Sequence, residues 1–292
     1  MSSHIGSHRS ATLAVLVAAA LFGTTGTVLV NAPSDADAYS VGSLRLLVGG
    51  ATLLAVAAAR APATWWQPWK RPLTFVGAAG VAVFQLCYFL AVERTGVAVG
   101  TVATIGSGPV LAGLLHAVID RQAPNHRWLL GTAVSVTGVA LLGLAGRETA
   151  IEPTGIALAV CAGLGWAVFA TVGKRQIEAG INSTASMAAM FNGGAIMLSP
   201  LLAAHSPGWA SRGTGLMIVL YLGVITVGLA YTLYGVALRR LSAPTVITLT
   251  LLEPITAAAL GSVVVHEGVR PAGWVGVALV LLGLMLTATV ST

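Results

Sequence analysis

Apolar residues along this chain do not alternate with polar ones, nor do they recur at the spacing of an amphipathic helix. They run in unbroken stretches of about twenty, separated by short polar joints. The stretches cover 11–31, 41–59, 73–92, 97–118, 128–146, 154–173, 183–204, 214–237, 242–264 and 272–290. A helix needs about 20 apolar residues to cross the hydrocarbon core of a bilayer. Each stretch therefore predicts a transmembrane helix, and the chain predicts ten. Arg45 and Glu253 are the formal charges inside the stretches. The joints leave no room for a soluble domain. The expected fold is an all-α polytopic membrane protein.

Composition removes most other classes. Of the 292 residues, 56% are hydrophobic and 8% charged, with a mean hydropathy of +0.88. Soluble domains carry about a quarter charged residues, so a soluble enzyme, a nucleic-acid binder and a disordered chain are excluded. The net charge of +6 comes from single bases scattered between stretches, which matches cytoplasmic loop bias rather than nucleic acid. With the N-terminus inside, the inner joints hold Arg9, Arg60, Lys70, Arg71, Arg121, Arg127, Lys174, Arg175, Arg239 and Arg240. The outer ones hold Arg94, Arg147, Arg212 and Arg270. That asymmetry predicts a cytoplasmic-membrane protein with both termini in the cytoplasm. Arg9, the following apolar run and Ala36-Asp37-Ala38 also have the outline of a cleavable leader. The repeat below needs this segment as a true span. Cys87 and Cys161 fall inside stretches and read as small buried hydrophobes.

A shift of 145 residues superposes the two halves of the chain over the fourth and fifth stretches. Pro109 falls on Pro254, Gly131 on Gly276, Gly138 on Gly283, and Gln122 on Glu267. The halves are 11–146 and 154–290, with five predicted helices each. Five is odd, so the second half must insert upside down relative to the first. Inverted repeats of this kind build transporters that rock around a midplane site.

Several residues could carry the chemistry. Glu253 lies mid-stretch, where an ionised carboxylate costs about 2.5–3.5 kcal/mol on insertion scales. It reads either as a partner for a substrate amine or a proton, or as a structural carboxyl beside Pro254. Pro109 and Pro254 each remove a backbone donor at equivalent depth, and Gly106 and Gly108 open the backbone beside Pro109. Paired interruptions of this kind point to a transporter's site, and the alternative is a packing kink. Arg45 either snorkels outward or binds a carboxylate. With Glu253 it would suit a zwitterion. Gln85 and Tyr88, Tyr231 and Tyr234, Ser107, Trp166 and Asn192 complete the candidate lining, since a small organic ligand needs aromatics and a few polar groups. Each aromatic also has a packing alternative. Trp65, Trp66 and Trp69 read as an interfacial belt, and His116 and His266 as interfacial residues. Gly131, Gly138, Gly276 and Gly283 read as helix-packing contacts.

Ser43-Leu44-Arg45-Leu46, Gly106-Ser107-Gly108-Pro109, Tyr221-Leu222-Gly223-Val224, Ala230-Tyr231 and Leu252-Glu253-Pro254 followed by Glu267 and Gly276 occur in an order and spacing that resembles the EamA-type ten-helix exporters of the drug/metabolite transporter superfamily. The resemblance covers essentially the whole chain as two copies. It implies a secondary transporter that exports a small metabolite or drug-like solute by alternating access, without a cofactor. Gln122 departs from the acidic residue expected there, while its repeat-mate Glu267 keeps the carboxylate. The expected partners are a small-molecule substrate and the lipid bilayer, with proton coupling open and no nucleic acid. No phosphate-binding G-x-x-x-x-G-K-[ST], His-Glu-x-x-His or Gly-x-Ser-x-Gly occurs. A lipid-directed membrane enzyme and a non-transport scaffold stay open as alternatives.

Overall fold

A computed structural model describes residues 2–144, 152–205, 207–264 and 271–288. Among them are ten helical spans. They are α1 (Ser2–Leu29), α2 (Ala38–Arg60), α3 (Pro72–Gly96), α4 (Val99–Asp120), α5 (His126–Leu144), α6 (Pro153–Glu178), α7 (Ser183–Ala204), α8 (Gly213–Leu238), α9 (Ala243–Val264) and α10 (Pro271–Ala288). Eight are long and apolar enough to cross a membrane. The other two, α5 and α10, are shorter. Large side chains such as Val118, Val263 and Met285 stand on the outer surface, as expected where lipid replaces water.

Local chemistry sets the ends of the helices. Asp37 caps α2 through Tyr39 N and Ser40 N, and Asn182 caps α7 through Thr184 N and Ala185 N. These side chains satisfy amide donors that the first helical turn leaves free. Pro72 and Pro153 open α3 and α6, where a missing N–H costs nothing. The corner between α3 and α4 turns at Gly96, whose φ of 79° is the left-handed region that glycine enters without penalty.

The helices pack as an inverted repeat. A Cβ added to Gly131 in α5 would stand 2.9 Å from the carbonyl of Gly283 in α10, and one on Gly138 would stand 2.6 Å from that of Gly276. The 145-residue shift converts the first contact into the second. Ser135 Oγ donates to the carbonyl of Val280, its own repeat-mate, at 3.5 Å. A contact that maps onto itself places a pseudo-two-fold axis between α5 and α10. The same symmetry relates α6 packed on α3 and α4 to α1 packed on α8 and α9, while α2 packs on α7. The first helix of each half therefore sits in the other half.

Two irregular segments differ from the expected pattern. Residues Tyr221–Leu229 of α8 form a π-helix, and Thr250–Leu252 of α9 form a 3₁₀ turn just before Glu253 and Pro254. The expected symmetry of interruption is corrected here, because α4 runs helically through Pro109. The residues just before the proline are clamped. Trp166 packs over Gly108, and Gly163 of α6 packs against Ser107, so close packing holds the helix despite the missing donor.

Candidate functional site

Arg45 on α2 and Glu253 on α9 are brought together inside the bundle, close enough to interact electrostatically. Both also act on Tyr88 of α3 and Tyr231 of α8. Arg45 is 8% exposed, and its Nε has no hydrogen-bond partner. No ion pair within 4.0 Å joins it to Glu253 among the described residues. Glu253 is surrounded by protein yet keeps some accessible surface. It begins the second segment of α9, after the 3₁₀ turn. The turn redirects the backbone, and Pro254 follows in the first turn of the new segment, where proline is tolerated. The carbonyl of Glu253 is pressed against Gly23 of α1, where a Cβ would stand 2.6 Å away.

Aromatic rings from five helices cluster around Tyr88 and Tyr231. Tyr231 lies 4.2 Å from Phe191, 4.9 Å from Phe22 and 5.5 Å from Tyr234, measured between ring centroids. Phe84 lies 6.0 Å from Trp166 and 6.1 Å from Tyr88. Tyr88 Oη shares a 3.0 Å hydrogen bond with Thr101 Oγ1. Trp166 Nε1 and Tyr234 Oη are neighbours, yet both are buried without a well-formed hydrogen bond, as is Thr104 Oγ1. Unpaired buried donors are costly, and these three lie on α4, α6 and α8.

Other expected lining residues serve the packing in this conformation. Gln85 Nε2 donates to the carbonyl of Gly42, and Asn192 Nδ2 donates to those of Gly50 and Ala188 at 2.7 and 2.8 Å. These bonds tie α3 and α7 to α2. Ser107 Oγ turns back to the carbonyl of Thr104. Gly106, Gly108 and Pro109 lie buried in α4. Lys70 stands 4.5 Å over the ring of Trp66, at the belt position. His116 pairs with Asp120 at 2.7 Å near the end of α4. His266 and Glu267 lie outside the described residues. The cysteine reading is corrected, because Cys161 is exposed and Cys87 half-buried. Both lie on helix faces that apolar periodicity cannot distinguish, since lipid-facing and core-facing positions are equally apolar.

The two ends of the bundle differ. Where α4, α6 and α8 finish, two neighbouring cavities of about 370 and 510 Å³ share His116, Gln122, Ser242 and Pro244. Asp120 of the first half is bound there by Arg175 of the second at 2.7 Å, and Lys174 Nζ caps the carbonyl of Leu238. At the opposite end, the space between α2, α3 and α7 shrinks to about 10 Å³, lined by Tyr39, Ser43, Gln85 and Phe89. Trp209 Nε1 donates to Ser40 Oγ at 2.8 Å, Tyr39 stacks on His205, and Arg212 pairs with Asp35. Glu152, at this end, is held below the usual carboxylate range by the Thr154 hydroxyl and then by Arg94. The bundle thus holds open space at one end and little at the other.

Sequence reasoning missed Phe22, Phe84, Phe169 and Phe191, although each is an aromatic within a span. It also missed the polar residues Asn125 and Ser242 of the open end. Their polarity in short loops was a weak signal. The π-helical turn of α8 left none.

The comparisons with known proteins agree with this architecture. A solved crystal structure superposes with a TM-score of 0.83 at 20% identity, covering 97% of this chain and 98% of its own, which speaks to fold alone. Bacillus subtilis (strain 168) has a similar protein, the uncharacterized transporter YwfM, 37% identical over 275 residues, which are 94% of this chain and 92% of that protein. The probable terminal-alkyne amino-acid exporter of Streptantibioticus cattleyicolor is 28% identical, covering 86% of this chain and 84% of its own length. The threonine/homoserine exporter RhtA of Escherichia coli (strain K12) is 24% identical over 90% of this chain and 82% of its own. The model of the EamA-like transporter family matches twice, over residues 9–144 and 153–289. With that match across both halves, the chain belongs to the EamA-like transporter family.

Proposed function

We propose that this transporter exports a small amino-acid-like zwitterion across the cytoplasmic membrane by alternating access, with both termini in the cytoplasm. The observation that carries the reading is the Arg45–Glu253 pair. Two opposite charges face each other within the bundle without closing into an ion pair. Arg45 offers a fork for a carboxylate, Glu253 accepts from an ammonium, and Tyr88 and Tyr231 flank the aliphatic part. Over the cycle Glu253 exchanges the substrate ammonium for a proton, which couples export to the proton gradient. The halves 11–146 and 154–290 rock about the axis between α5 and α10. With the base-rich joints inside, the open end faces the cytoplasm, where an exporter loads.

Two lines of support bear on the substrate. The relatives named as exporters act, by their names, on amino acids. A charge pair is also what a zwitterion requires, whereas a neutral drug would need neither member. The test compares the medium of cells overproducing wild type or Glu253→Gln at equal membrane abundance, by untargeted mass spectrometry. An amino acid or close analogue that accumulates outside with wild type alone supports the reading. Accumulation of a compound without both charges, or equal export by the variant, overturns it.

A further inference from the structure

The chain has two cysteines, one in each half. Cys87 lies on α3 and Cys161 on α6. These helices pack antiparallel in a regular register. A Cβ on Gly77 would meet Val172, one on Gly80 would meet the backbone of Phe169, and one on Gly165 would meet the backbone of Phe84, all at 2.7–3.1 Å. The pairs 77 with 172, 80 with 169 and 84 with 165 advance together. One further turn on each helix sets Cys87 beside Cys161. The two thiols lie within interacting reach of each other.

Their surroundings narrow what could bind. Cys161 is exposed and Cys87 half-buried. Cys161 lies eight residues beyond Pro153, about 12 Å along the helix at 1.5 Å per residue, so its open side meets hydrocarbon rather than water. No group of three metal-ligating residues occurs among the described residues, so the site offers two sulfurs and no third ligand. A suitable ligand is lipid-soluble, binds two sulfurs at once and is neutral before and after binding.

We propose that Cys87 and Cys161 form a lipid-accessible dithiol site for a lipophilic trivalent arsenical, which would link α3 to α6. The reaction is a condensation. Both S–H bonds and the arsenic–oxygen double bond break, two As–S bonds form, and the oxygen leaves with both protons as water. Arsenic stays trivalent and no oxidant is needed.

The test adds phenylarsine oxide to membranes containing the full chain. Free thiols are then counted by labelling the still-folded protein with membrane-permeant N-ethylmaleimide, and the added labels and bound arsenic are measured by mass spectrometry. Wild type should lose both labels, hold one arsenic per chain, and regain both thiols with dithiothreitol but not with an equal thiol concentration of 2-mercaptoethanol. Cys87→Ser and Cys161→Ser should each hold arsenic about 100-fold more weakly, since the second bond is lost as an intramolecular one. Wild-type chain unfolded in SDS before exposure serves as a control that needs no variant, and it should also lose most of the affinity. Retention of both labels in folded wild type, or equal retention by the single-cysteine variants or the unfolded chain, overturns the proposal.

Discussion

Replacing Glu253 by Gln tests the site with the least disturbance, because the side chain keeps its shape and one carbonyl acceptor. The change removes the negative charge facing Arg45 and the acceptor of a charge-assisted hydrogen bond. Hydrogen bonds to charged groups contribute about 1.5–3 kcal/mol. At about 1.4 kcal/mol per decade, the transport efficiency for a zwitterion should fall by roughly one to two orders of magnitude. Arg45 bears on the outcome. It is 8% exposed with an unpartnered Nε, so Gln leaves a buried cation with less compensation. That adds a stability cost, which has to be separated from the transport effect. The assay is therefore exchange in proteoliposomes at matched protein content, with thermal stability measured by size-exclusion fluorescence in parallel. Substrate and proton dependence should change together, with the external pH response flattened in the variant. Wild-type efficiency with an unchanged pH response would refute the assignment and leave Glu253 as a structural carboxyl. An equal loss for a substrate lacking the amine would refute the ammonium contact alone.

Further outcomes follow from packing and charge. Gly138→Val should destabilise the protein by about 1–3 kcal/mol through overpacking, since a Cβ there would stand 2.6 Å from the Gly276 carbonyl. Gly26→Ala, with nothing within 4 Å, should be neutral or slightly stabilising, and thermal melts in detergent check both. Gln176→Leu should cost about 2–4 kcal/mol, because it breaks bonds to Thr74 Oγ1 and Ser186 Oγ at 2.6 Å each and leaves the buried Ser186 hydroxyl without its partner. The same melts read the loss. At the closed end, partial burial alone would raise the Asp37 carboxyl, but hydrogen bonds from Ser40 and Tyr39 and the charge of His205 outweigh it and hold it below 3.8. A carboxylate depressed by folding stabilises the fold above its unfolded pKa and loses that contribution as pH falls through the folded value. Wild type should therefore lose more melting temperature than Asp37→Asn between pH 5 and about 3, since Asn keeps the helix cap without titrating. Equal acid sensitivity of the two proteins would count against this contact.

Much of the molecule is legible in the order of its residues. Runs of about twenty apolar residues admit one solution in a bilayer, because a lipid-embedded backbone must satisfy its own hydrogen bonds. Helix number follows from that alone. Inversion follows from parity, since five crossings per half leave the second half reversed. The glycines at 131, 138, 276 and 283 announced close helix contacts because a missing side chain lets backbones approach. Glu253 and Arg45 stood out because charges in hydrocarbon are expensive.

Other features needed the tertiary structure. Apolar patterning does not separate a core face from a lipid face, so it misplaced Cys161 and left the partners of Phe22, Phe169 and Phe191 unseen. Equal prolines in the two halves suggested equal breaks. The surroundings decided otherwise, with Trp166 and Gly163 clamping α4 around Gly108 and Ser107, while α9 turns at Thr250–Leu252. Gln85 and Asn192 looked free to bind a ligand, yet carbonyls on α2 claim their donors. The exchange of α1 and α6 between the halves, and the meeting of Arg45 with Glu253, join residues far apart in the chain, from about 55 positions for α6 on α4 to about 200 for Arg45 and Glu253. Sequence fixes which residues must leave water and which charges are costly there. Only the packed helices decide which of those charges face one another, because that depends on crossing points set by many side chains at once.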